Sequence, residues 1–240
     1  MTTLAPDRVP LAAPRLAVPA YFRPDARPDD WELLAQRRVR LVILNVASGP
    51  GTRPDQAYLP ALARLVHAGV AVAGYVDTNY AQRVPRAAMA DLNRFLRWYA
   101  VTGVCFDRAA VEPEHLGYYA ALARDARLAG AGLVMFNHGA YPAEAYAEHA
   151  DLLGTFEGPW RAYLRLAVPR WTRSRAASIF YHVVYSVPLD HFDDAYLLAM
   201  RRRAGCAYVT DRAGTNPYDR LPAGGFPLES PWRGWSCQVR

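Results

Sequence analysis

Eight apolar runs of strand length recur along this chain, and segments of helical period separate them. The runs are Leu16–Phe22, Val39–Val46, Val70–Asp77, Gly103–Asp107, Leu133–His138, Leu152–Glu157, Ile179–Val187 and Cys206–Asp211. The helical segments lie near Asp30–Arg38, Gln56–Ala68, Arg86–Tyr99, His115–Ala129, Ala143–His149, Pro159–Leu166 and His191–Ala204. In the second of these, Leu59, Leu62, Leu65 and Val66 recur at the three- and four-residue spacing of one helix face. Gly69, Gly130 and Gly205 each follow a helical segment and precede a strand, which predicts left-handed C-caps.

This alternation predicts an α/β fold with a parallel sheet, since parallel neighbours need a crossover helix. Eight such strands predict a closed (β/α)8 barrel of the TIM type, in which no edge strand is left open. An open doubly wound sheet is the alternative. Its dinucleotide-binding form is disfavoured because no G-x-G-x-x-G follows the first strand. The eighth helix is missing. In its place residues 212–240, with four glycines, four prolines, Trp232 and Trp235, read as an irregular C-terminal strap, either covering the last strand or stacking on a sugar. Residues 1–14 read as a flexible arm, and residues 15–240 as one barrel domain.

The net charge of +6 is carried by arginine alone, for the chain contains no lysine. Schiff-base aldolase chemistry and a pyridoxal-lysine imine are thereby excluded. Nucleic acid is not an expected partner, because the one dense basic run, Arg201-Arg202-Arg203, falls at a predicted helix end, where cations meet the macrodipole favourably. Cys105, Cys206 and Cys237 form no C-x-x-C pair, and none of the six histidines falls in a ligand motif, so no metal and no organic cofactor is expected. No apolar run reaches the ~18 residues of a membrane span. No signal-peptide h-region is visible, so the default expectation is a cytoplasmic protein, or a secreted one if the N-terminus has been trimmed.

In a parallel barrel the chemistry belongs at the C-terminal ends of the strands. Those ends carry Tyr21; Asn45; Asp77 with Asn79 and Tyr80; Asp107; Asn137 and His138; Glu157; Tyr185; and Asp211. Four of them are carboxylates that end an apolar or aromatic stretch: Tyr75-Val76-Asp77, Cys105-Phe106-Asp107, Thr155-Phe156-Glu157 and Val209-Thr210-Asp211. One such acid would cap the next helix, whereas four among amides and tyrosines suit a polyol-binding mouth. Asp107 and Glu157 end strands of equal parity and can share a side-chain layer. Two strand spacings then put their carboxyl groups within about 5–9 Å, the range of glycosidase pairs. No G-x-S-x-G motif supports a serine hydrolase, and Ser48-Gly49-Pro50-Gly51 lacks the lysine and spacing of a phosphate loop.

Several of these blocks occur in a familiar order: Pro19-Ala20-Tyr21-Phe22, Ile43-Leu44-Asn45 before Ser48-Gly49-Pro50-Gly51, Gly74 through Tyr80, Gly103 through Asp107, Thr155-Phe156-Glu157-Gly158, and Thr210-Asp211 with Asn216-Pro217-Tyr218. Together they resemble the spherulin-4-like (spherulation-specific family 4) proteins. The resemblance implies a (β/α)8 barrel and a glycoside hydrolase that cleaves α-1,4-linked galactosamine or N-acetylgalactosamine in exopolysaccharide. It further implies Asp107 as nucleophile and Glu157 as acid/base, with Tyr21, Asn45, Asp77, Tyr80 and Asn137 lining the sugar subsite. Glu157 would hold its proton through burial beside Phe156 and Trp160. One departure stands out: family hydrolases often carry Asp-Glu where this chain has Asp107-Arg108. A non-hydrolytic sugar-binding barrel, or a barrel enzyme turned to a small metabolite, therefore stands beside the hydrolase reading.

Overall fold

The structure is a computed structural model that describes residues 14–36, 39–223 and 226. Trp232, Trp235, Cys237 and nearly all of the expected arm lie outside the described residues. In chain order the elements are β1 (Arg15–Ala20), α1 (Pro28–Gln36), β2 (Val39–Leu44), α2 (Leu59–His67), β3 (Ala71–Asp77), α3 (Pro85–Tyr99), β4 (Gly103–Asp107) and α4 (Leu116–Leu128). They continue with β5 (Leu133–Asn137), β6 (Leu152–Pro159), α5 (Trp160–Tyr163), β7 (Phe180–Tyr185), α6 (Phe192–Arg201) and β8 (Cys206–Val209). All neighbouring strands are parallel and the sheet closes, with Arg15 and Leu16 of β1 opposite Cys206 and Ala207 of β8. The chain is thus an eight-stranded TIM-like barrel with six α-helices among the described residues.

Two expected helices are shorter than their apolar pattern suggested. The helix expected at Ala143–His149 is a 3-10 segment, Glu144–Glu148, closed by the His149 amide bonding three residues back to the Tyr146 carbonyl. The segment expected at Pro159–Leu166 is α-helical for a single turn. Beyond it the Arg165 and Leu166 amides bond three residues back, to Ala162 and Tyr163, which tightens the chain into turns. Gly69 and Gly130 do take positive φ after α2 and α4. Gly205 does not; Arg203 takes the left-handed conformation there instead. Gly205 is needed for a close approach, since a Cβ would stand 2.5 Å from the Ser178 Cα.

Apolar residues from every strand are buried, together with one face of each longer helix, including Leu62 and Leu65 of α2 and Leu92 and Phe95 of α3. Cys105 and Cys206 are free thiols buried in this core, where they act as small hydrophobes. Two residues of the arginine run bond within the fold, while Arg201 is exposed. Arg202 lies 4.6 Å over the Tyr163 ring and donates to the Leu164 carbonyl, and Arg203 donates to the Arg175 carbonyl. No described helix is long and apolar enough to cross a membrane.

Candidate active site

Strands β4, β5 and β6 bring three polar side chains together at the C-terminal mouth. The register sets Phe106 opposite Phe136, so Asp107 and Asn137, one residue on, lie side by side and point into the barrel. Glu157 would face outward if β6 were regular, because Gly154 and residues two apart from it share a face. A bulge between Gly154 and Phe156 shifts the register by one, so that Gly154 pairs with Tyr181 and Phe156 with His182. The extra residue turns Glu157 inward and Phe156 outward. Phe156 accordingly packs on Tyr163, with ring centroids 4.7 Å apart, and Trp160 lies 6.0 Å from His191. Both sit in the helix layer, away from the role expected for them beside the Glu157 carboxyl.

Asn137 joins the two acids. Its amide nitrogen donates to Asp107 Oδ1 and to Glu157 Oε2, at 2.7 Å each, so these oxygens lie at most twice that distance apart. Room for the amide comes from Gly154. A Cβ there would be 2.0 Å from Asn137 Oδ1. Tyr218, on the strap after β8, donates to Glu157 Oε1 at 2.6 Å. The strap is fixed by the Tyr21 amide, which donates to the Tyr218 carbonyl, and by Asp211, which accepts from the Ala223 amide. Tyr21 packs edge-on to both Tyr75 and Tyr218.

The electrostatics follow from this enclosure. Burial, then the neighbouring charge of Glu157, push Asp107 up to about 6, against the opposing pull of its Asn137 and Tyr75 hydrogen bonds. Burial and the charge of Glu157 hold the Tyr218 hydroxyl protonated, and burial and Asp107 do the same for Tyr21. Both tyrosines therefore remain donors beside the acids.

A second cluster flanks the pair on the β3 side. Asp77 lies opposite Asp107 in register. Arg108 donates from Nη1 to Asp77 Oδ2 (3.1 Å) and from Nη2 to Asn79 Oδ1 (2.7 Å), and stands 5.1 Å over the Tyr80 ring. Asn79, Tyr80, Ala81 and Arg108 all have positive φ, a backbone conformation that costs non-glycine residues about 1–2 kcal/mol each. The turn is pinned by the Thr78 hydroxyl, which donates to the Asp107 and Arg108 carbonyls, and by Arg83, which donates to the Asp77 carbonyl.

The remaining expected residues divide. Asn45 accepts from the Gly49 amide, shaping the turn at Ser48, and shares a cleft of about 360 Å³ with Tyr21, Thr215, Asn216 and Tyr218. Tyr185 ends β7 near Tyr218. Asp211 serves the strap. His138 is not at the mouth: next to inward-pointing Asn137, it faces the helix layer, bonded through Nδ1 to the Ala110 carbonyl and packed 4.8 Å from the Tyr146 ring. Burial lowers its pKa to about 4. Tyr218, Tyr75 and Gly154 were not among the expected site residues. Tyr218 and Tyr75 were visible within the recognised sequence blocks, but nothing local to Gly154 marks its role.

The sequence matches spherulation-specific family 4 over residues 15–226. It is similar to Spherulin-4 of Physarum polycephalum, at 32% identity over 108 residues, which is 44% of this chain and 32% of that protein. The aligned region is therefore about a third of the length of that relative. Among solved structures it is similar to Aspergillus clavatus Sph3 in complex with GalNAc. The TM-score is 0.73 at 21% identity, covering 88% of this chain and 94% of the other.

Proposed function

The chain belongs to spherulation-specific family 4, and from that premise we propose that it is a glycoside hydrolase acting through Asp107 and Glu157. The observation that carries this reading is the Asn137 amide, which holds the two carboxylates together at 2.7 Å from each. The spacing suits retaining enzymes, whose carboxyl groups stand about 5 Å apart, better than inverting ones, which leave about 6.5–9.5 Å for a water. In this scheme Asp107 attacks the anomeric carbon and Glu157 gives its proton to the leaving oxygen. A glycosyl ester forms as the glycosidic bond breaks. Glu157 then takes a proton from water, which attacks the same carbon and releases Asp107. Asn137 orients both acids, and Tyr218 holds the second oxygen of Glu157. No metal or organic cofactor takes part in this scheme.

The cleft lined by Tyr21, Asn45 and Tyr218 is the proposed sugar seat, with Asp77, Asn79 and Tyr80 on the neighbouring β3 rim and Tyr185 and Asp211 at the ends of β7 and β8. The proposed substrate class is α-1,4-linked galactosamine or N-acetylgalactosamine, supported by family membership and by the GalNAc held in the similar Sph3 structure. The test is release of reducing ends from such oligomers. Asp107→Asn and Glu157→Gln should each lower turnover by about three orders of magnitude or more with the circular-dichroism spectrum unchanged; unaltered turnover rejects the assignment.

One observation favours a second reading, a sugar-binding barrel that does not hydrolyse. Both oxygens of Glu157 already accept hydrogen bonds, from Tyr218 and Asn137. Oligosaccharide binding without any reducing-end release by the wild-type protein would select it.

A further inference from the structure

On the reading of a sugar-cleaving mouth, we propose that Arg108 is a specificity-determining residue that bars a free amino sugar from the rim subsite and admits a sugar bearing an oxygen acceptor. The argument rests on which hydrogen-bonding groups the β3–β4 rim still has to offer. Asp77 has both carboxylate oxygens engaged, Oδ1 by the Asn79 amide at 2.7 Å and Oδ2 by Arg108. The side-chain oxygen of Asn79 is also taken by Arg108. The acceptors that would draw an ammonium are thus already engaged, Asp77 Oδ2 and Asn79 Oδ1 by the guanidinium and Asp77 Oδ1 by the Asn79 amide. That guanidinium carries more N–H groups than these two bonds use, and 44% of its side chain is exposed.

The rim therefore presents donors. An ammonium brings donors and no acceptor, so no hydrogen bond can form between it and Arg108, and the like charges repel. An acetamido carbonyl or a carboxylate on the sugar accepts from the guanidinium. Tyr80, 48% exposed and covered by Arg108 on one side, supplies an aromatic surface next to that donor edge. The positive-φ backbone at residues 79–81 and 108 fixes the arrangement. The Tyr80 amide donates to the Arg108 carbonyl at 2.7 Å, tying the two left-handed segments together.

The test uses binding, so that its outcome is separate from whether the wild-type protein cleaves. In the Asp107→Asn protein, affinities are measured by calorimetry for α-1,4-linked oligomers of N-acetylgalactosamine, galacturonic acid and galactosamine. The first two distinguish an acetamido acceptor from a carboxylate. At least one should bind about tenfold or more tighter than galactosamine at neutral pH, the scale of one unpaired polar group. Adding Arg108→Gln, which supplies an acceptor, should shrink the preference to within about threefold, and Arg108→Lys should keep it. A measurement without any change at Arg108 stands beside these: raising the pH above the amine's own pKa should tighten galactosamine binding and leave the N-acetylated oligomer unaffected. Equal binding of all three oligomers, no binding of any, or a preference unchanged by Arg108→Gln overturns the proposal.

Discussion

At the residue scale the site depends on one amide serving two acids. Asn137 can donate to both because its nitrogen carries two hydrogens, and an aspartate there would place a third carboxylate between Asp107 and Glu157. The enclosure that makes this geometry possible raises Asp107 to about 6, and two outcomes follow. If Asp107 is the nucleophile, it must be ionised, so kcat/KM should fall as the pH drops through about 6. A loss in the opposite direction, on raising the pH through that value, would exchange the roles of the two acids. Stability should respond as well. A carboxyl whose folded pKa lies above its ordinary 3.8 favours the fold fully below that value and loses this contribution as the pH rises through about 6. Asp107→Asn should therefore melt higher than wild type at pH ~8, with the gap closing toward pH ~4. Melting curves at both pH values check this.

At the scale of elements, β6 decides the site. Its bulge aims Glu157, and its Gly154 leaves space for the Asn137 amide. Gly154→Ala should push that amide off one or both acids. A loss in kcat of about a hundredfold is expected, with a destabilisation of about 1–3 kcal/mol from overpacking. Normal kcat in a folded Gly154→Ala protein would show that the bridge is dispensable. The same strand marks what the sequence could and could not reveal. The order of strands and helices was legible because burial against two layers writes a period into each segment. The pairing of Asp107 with Glu157 was anticipated from strand parity. Its route was not, because a strict alternation from Gly154 points Glu157 outward and only the bulge reverses it. At β5 alternation puts Asn137 and His138 on opposite faces, so the expectation of both at the mouth held only for Asn137. Tyr218 escaped because its partner, 61 positions earlier in sequence, is set by the path of the strap.

At the scale of the whole molecule, the barrel and its outer layer answer acid differently. The interior holds Asp107, which gains by protonation. The layer between barrel and helices holds His138 and His182, whose pKa values burial lowers to about 4 and about 3. His182 is bonded to Tyr163 at 2.8 Å and Tyr141 at 3.3 Å. A histidine buried in the neutral form stabilises the fold above its ordinary pKa of 6.5, and that contribution is lost as the pH falls toward the folded value. Each should remove about 1 kcal/mol per pH unit below ~6. Urea midpoints between pH 7 and 4.5 should decline accordingly, and His138→Phe should flatten the slope; an unchanged slope would mean that His138 is protonated in the fold.

The strap carries one more consequence, and it concerns the order in which the molecule is made. The two acids and their amide are all encoded by the end of β6, but the hydroxyl that meets Glu157 belongs to residue 218, beyond the last strand that closes the ring. A chain ending at β8 would carry both carboxylates without the tyrosine that binds one of them. Completion of the site thus coincides with completion of the fold, and a product that stops at the barrel wall lacks the final piece.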